Sequence, residues 1–96
     1  MGSRLDVRCS PDAAGWTCRV TVGDAPGTTE HSVSVAEADL RRLDPTSENP
    51  TNLVWRSFEF LLEREPRESI MRKFELPIIG RFFADYRDEM LRRLAP

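Results

Sequence analysis

The spacing of apolar residues changes period at residue 36, and this limits the possible folds more than any other feature of the chain. Before it, apolar side chains recur at every second position. Leu5, Val7 and Cys9 alternate with Asp6 and Arg8, and Trp16, Cys18, Val20 and Val22 alternate with Thr17, Arg19 and Thr21. His31, Val33 and Val35 share a face in the same way. Period two marks half-buried strands. The intervening runs Ser10-Pro11-Asp12-Ala13-Ala14-Gly15 and Gly23-Asp24-Ala25-Pro26-Gly27 carry turn chemistry, with Pro fixing φ and Gly free to take positive values. Residues 1–35 therefore read as a three-stranded antiparallel meander, with Cys9 opposite Trp16 or Cys18. Such a sheet has one apolar face that another element must cover.

From residue 36 onward the spacing is helical. Ser34-Val35-Ala36-Glu37 fits a capping box for a short helix over 36–43, stopped by Asp44-Pro45. Asn49-Pro50 is a second helix start, leading to about Glu65. Pro66 opens a third helix over 66–74, broken at Leu76-Pro77. A last helix over 78–94 places Ile79, Phe82, Phe83, Tyr86, Met90 and Leu94 on one stripe, with Asp88–Arg92 and Glu89–Arg93 spaced for ion pairs. Strands followed by helices, in 96 residues, make one α+β domain: the meander, then three to four helices over 36–96, one packing on the sheet.

The helix over 50–65 is unusual. At about 100° per residue, Val54, Trp55, Phe58, Leu61 and Leu62 form a broad apolar face. Leu53 and Phe60 lie on the opposite side, bordered by Arg56 and Arg64. A peripheral helix needs only one apolar face. Either this helix is central and covered twice, or Leu53 and Phe60 belong to a contact surface for a partner or a second copy, with the arginines at its edge.

Charge narrows the function classes. The formal net charge is −2, so no whole-molecule basic field draws the chain to nucleic acid. No apolar run approaches the roughly 20 residues that span a bilayer. Met1-Gly2-Ser3-Arg4 lacks the apolar core of a signal peptide, which makes the cytoplasm the expected location and membrane contact unexpected. Lys73 is the only lysine among 14 basic residues, a skew that reflects GC-rich coding.

Residues able to carry chemistry are few. Cys9 and Cys18 fall on facing strands, where a cross-strand disulfide is open to them. In a reducing cytosol they would instead be two thiols packed as small apolar groups. With His31 they lack the four-ligand spacing of structural zinc, so no metal or cofactor is expected. His31 has no nucleophile motif beside it and reads as a structural or rim residue. Glu59, Glu63, Glu65 and Glu68 interleave with Arg56, Arg64, Arg67 and Arg72 as compensated helix surface. Gly80 and the turn glycines form no phosphate loop. Two short helices bearing Arg67, Arg72, Lys73 and Arg81 loosely suggest a helix-turn-helix contact with nucleic acid. Ile78, Ile79, Phe82 and Phe83 are too apolar for a recognition helix, however, and Asp85 and Asp88 would repel phosphate.

Ser32-Val33-Ser34-Val35 with Asp39-Leu40-Arg41-Arg42-Leu43, and Phe58-Glu59-Phe60-Leu61-Leu62-Glu63-Arg64-Glu65-Pro66-Arg67-Glu68-Ser69-Ile70 with Phe74-Glu75-Leu76-Pro77-Ile78-Ile79-Gly80-Arg81-Phe82-Phe83, resemble stretches of short uncharacterised proteins of GC-rich actinobacteria. The resemblance implies a bacterial, cytoplasmic setting and carries over no known activity. The sequence thus predicts a non-enzymatic interaction module with a protein partner or itself, through Leu53, Arg56, Phe60 and Arg64. The alternative is a nucleic-acid-binding regulator using Arg67, Arg72, Lys73 and Arg81.

Overall fold

The structure is a computed structural model describing residues 4–24 and 26–95; Met1, Gly2, Ser3, Ala25 of the second turn and Pro96 lie outside it. Its order is β1 (Leu5–Pro11), β2 (Gly15–Val22), β3 (Thr29–Ala36), α1 (Glu37–Leu43), α2 (Thr51–Leu62), a 3₁₀ turn (Arg67–Ser69), β4 (Lys73–Glu75), α3 (Ile78–Phe82) and α4 (Tyr86–Leu94). The class is α+β.

The meander forms as its alternation requires. Cys9 pairs with Cys18 and Val7 with Val20, so the even residues of β2 and the odd residues of β1 and β3 share the covered face. Cys18, Val20, Val22, His31, Val33 and Val35 are all buried on it. Asp12 organises the first turn, its carboxylate accepting from the Ala14 and Gly15 main chain and the Thr17 hydroxyl. In the second turn Gly23 has φ +97°, and a Cβ there would collide with the Arg67 guanidinium, so glycine is required.

The sheet has four strands, in the order β1-β2-β3-β4, and β4 runs parallel to β3. This corrects both the three-stranded antiparallel expectation and the helix over 66–74. Pro66 and Ile70 are extended, at ψ 155° and 131°, leaving only the short 3₁₀ turn between them. The chain then lies along the open edge of β3, where Ser32 N–H donates to Arg72 O (2.7 Å) and Leu76 N–H to Ser34 O (2.9 Å). Those edge groups would otherwise lack partners. Phe74 and Leu76 turn inward while Lys73 and Glu75 stay exposed.

Helix starts also differ from expectation. The capping box at Ser34 does not form: Ala36 is the N-cap, and the Glu37 N–H is taken by the Ala14 carbonyl. Pro50 lies just ahead of α2, and Asn49 Oδ1 accepts from Thr51 N–H (3.0 Å). The single helix over 78–94 is two helices, interrupted at Phe83, whose backbone is extended (φ −130°, ψ 102°). On α4, Glu89 binds both Arg92 and Arg93, at 2.6 and 3.2 Å, in place of the expected Asp88–Arg92 pair.

α2 is the centre of the core. Its Phe58 ring meets His31 (5.3 Å) and Phe74 (6.2 Å) on the sheet side. Its other flank meets the C-terminal helices: Phe60 packs edge-on against Phe83 and Tyr86, and Ser57 Oγ lies 2.7 Å from Tyr86 Oη. The one Ser57 hydroxyl proton goes to Leu53 O (2.8 Å), so the Tyr86 phenol, whose pKa burial pushes up, is the donor to Ser57 Oγ inside the core.

Candidate functional site

The residues singled out from the sequence do not form one site. Leu53 and Phe60 are both 0% exposed, so neither lines a surface of this fold. The two apolar flanks of α2 exist, and the chain itself covers both. The bordering arginines serve that packing. Arg64 stacks 3.6 Å above the Phe60 ring, donates to Phe60 O (3.1 Å) and pairs with Asp85 (2.8 Å), lying over the core edge. Arg56 pairs with Glu59 one turn along (2.9 Å).

The four basic residues of the nucleic-acid reading fall on different elements, and no helix pair carries them. Arg67 is in the 3₁₀ turn, paired with Glu68 (3.2 Å), its guanidinium filling the space over Gly23 and Gly27. Arg72 precedes β4, Lys73 lies in it and Arg81 is in α3. These last three are exposed, and among the described residues none has a carboxylate within ion-pair distance.

His31 is 2% exposed and fully partnered. A carbonyl only accepts, so Nδ1–H must be the donor to Met71 O (2.8 Å), which leaves Nε2 to accept from the Thr29 hydroxyl (3.0 Å). Desolvation by burial, with a smaller contribution from nearby Arg72, holds its pKa below the usual histidine value despite the Met71 hydrogen bond. This neutral imidazole ties β3 to the segment entering β4. Cys9 and Cys18 are joined as a disulfide across β1 and β2. Among the described residues no group of three or more His, Cys, Asp or Glu side chains is placed to hold a metal ion. Nor is any helix long and apolar enough to cross a membrane.

The surface that stands out lies elsewhere, between β4 and α3. A largely apolar cleft of about 300 Å³ opens there, bounded by Leu61, Ile70, Met71, Phe74, Ile78 and Phe82, with Glu65 and Ser69 also lining it. Phe82 is 67% exposed and Met71 43%. An adjoining cleft of about 430 Å³ shares Met71, Phe74 and Ile78 and adds Glu75, Pro77 and Arg81. Helical spacing hid this surface: it assigned Phe82 to the buried stripe of one long helix and Met71 to a helix that does not form. The available signal was the alternation Lys73-Phe74-Glu75-Leu76, which is a strand pattern.

Comparison with protein-family models, curated proteins and solved structures finds no significant match to this chain.

Proposed function

We propose that the chain is a non-enzymatic interaction module that engages protein through the apolar surface between β4 and α3. The observation behind this reading is the exposure of Phe82 and Met71 beside a cleft whose walls are mostly apolar, Glu65 and Ser69 being the polar residues among them. A large aromatic side chain left in water next to such a cleft is what a protein contact covers. The bacterial, cytoplasmic setting that accompanies the reading rests on the actinobacterial resemblance and the arginine-rich composition.

A displayed library of random peptides tests it. Peptides with apolar anchors should be enriched on the native protein and lost on the double variant Phe82→Ser/Met71→Ser. Both positions are exposed, so the variant should keep its thermal midpoint. No enrichment, or the same enrichment on the variant, refutes the reading. The competing reading, contact with nucleic acid, draws on Arg72, Lys73 and Arg81, which have no carboxylate partner among the described residues. It predicts retention on DNA or RNA that weakens steeply with salt. Glu75 beside these residues and the net charge of −2 weigh against it.

A further inference from the structure

Of the two edges of the sheet, the one at β4 adjoins this apolar surface, and its chemistry is self-complementary. In the β3–β4 ladder the inward hydrogen bonds fall at Arg72 and Leu76, so alternation turns the main-chain groups of Lys73 and Glu75 outward. Their side chains stand on the open face of the sheet, opposite in sign and with no ion-pair partner among the described residues. The edge is short. Met71 O is already bound to His31, and Pro77 has no N–H to offer. An exposed strand edge is a template for another strand.

Taking the interaction reading above as its basis, we infer that the occupant is a second copy of this chain, added antiparallel at β4 about a two-fold axis through Phe74. That axis sets Lys73 opposite the partner's Glu75, and Glu75 opposite the partner's Lys73. Both residues direct their main-chain groups outward, so each pair exchanges N–H···O=C bonds and places its opposite charges side by side. The same axis sets Met71 opposite the partner's Pro77, so the cleft lined by Met71, Phe74, Pro77 and Ile78 lies on the seam. The interface is isologous, as a two-fold requires, and it joins two sheets into one. The other sheet edge is a poorer candidate. Asp6 and Arg8 of β1 alternate similarly but are already paired with each other (3.1 Å), and the exposed Met71 and Phe82 are at the β4 end.

The test is a charge swap read by sedimentation velocity over a concentration series from micromolar to millimolar. The native chain should move from monomer to dimer. Lys73→Glu places two carboxylates opposite each other at both symmetric pairs, and Glu75→Lys does the same with two ammonium groups. Each should weaken self-association about tenfold or more. The double variant Lys73→Glu/Glu75→Lys restores opposite charges across the axis and should recover the native dimer. All four side chains concerned are exposed, and circular dichroism checks that each variant is folded. A native chain that stays monomeric overturns the inference, as does a dimer insensitive to both single reversals or a double variant that fails to recover. Phe82-dependent peptide enrichment by a monomeric chain would leave the interaction reading standing with a different partner. Loss of both would remove that reading too.

Discussion

Truncating Phe60 decides whether α2 is the centre of the core. The ring is 0% exposed, with the rings of Phe83 and Tyr86 edge-on at 5.7 and 5.5 Å and the Arg64 guanidinium 3.6 Å from its centre. Removing a buried phenylalanine side chain costs about 3–5 kcal/mol through lost transfer energy and the cavity left behind. Phe60→Ala also strips two aromatic contacts and the surface on which Arg64 rests, which puts it in the upper part of that range. A domain of 96 residues has about 5–14 kcal/mol in total, so the variant loses a large share of its stability. The thermal midpoint should fall by about 15–40 °C, at about 4–8 °C per kcal/mol for a domain of this size. Urea unfolding followed by circular dichroism is the direct assay, with an unchanged denaturant slope showing that the same surface is exposed. Phe60→Leu keeps most of the apolar volume and should cost much less. A Phe60→Ala loss below about 0.5 kcal/mol, within the range of ordinary surface substitutions, would refute the central position of the helix. It would restore Leu53 and Phe60 as an exposed ridge, most clearly if the mass in solution changed as well.

Two further perturbations follow from buried groups. His31 is held neutral below its ordinary pKa, so the unfolded chain binds the extra proton first; its contribution is full above about pH 6.5 and is lost as pH falls toward the folded value. Unfolding free energies measured from pH 7.5 to 5 should decline, and His31→Gln should flatten that slope; an equal slope in both proteins removes the assignment. The depressed carboxylates act in a lower window: their contribution is lost as pH falls below the unfolded values of 3.8 for Asp12 and 4.5 for Glu63 and Glu89. Reducing Cys9–Cys18 opens a loop whose ends are 9 residues apart, which by chain entropy removes about 2.5–3 kcal/mol. Urea midpoints with and without reductant measure this, and an intact mass unchanged by reductant would show that the thiols are free. Disulfides persist in oxidising compartments, so the same measurement on protein from the native host also bears on the cytoplasmic expectation.

Legibility in the sequence followed the range of the interactions. The hairpins were legible because period-two alternation and turn residues are local, and the paired cysteines fall at a register the alternation already allowed. The double burial of α2 was also legible as a geometric fact, since Leu53 and Phe60 project away from Phe58 whatever covers them. What covers them was not. The break at Phe83 has no proline or glycine at the site. It comes from contacts distant in sequence: the Phe83 ring seated against Phe60, and Asp85 held by Arg64 at 2.8 Å. Residues 67–74, rich in Arg, Glu, Met and Lys, favour helix by propensity. The unpaired edge of β3 overrides that preference, because Ser32 and Ser34 offer a donor and an acceptor that a strand can take and a helix cannot.

This override also accounts for the candidate surface. Had 66–74 been helical, Met71 would have belonged to a helix face and the edge at Lys73 and Glu75 would not exist. Had 78–94 been continuous, Phe82 would have joined Ile79 and Tyr86 in the core. Instead Phe74 and Leu76 take the inward positions of a strand, and the chain then turns sharply at Pro77. Met71 and Phe82 are left outside on either side of the cleft. The residues misassigned by local pattern are thus the ones that now line the exposed apolar surface. Pairing with β3 stabilises the fold by completing one sheet edge, and it creates a new edge three residues long. Natural sheets protect such edges by keeping them short and charged. Here the charges are of opposite sign and two positions apart, which blocks indiscriminate pairing while matching an inverted copy of the same strand.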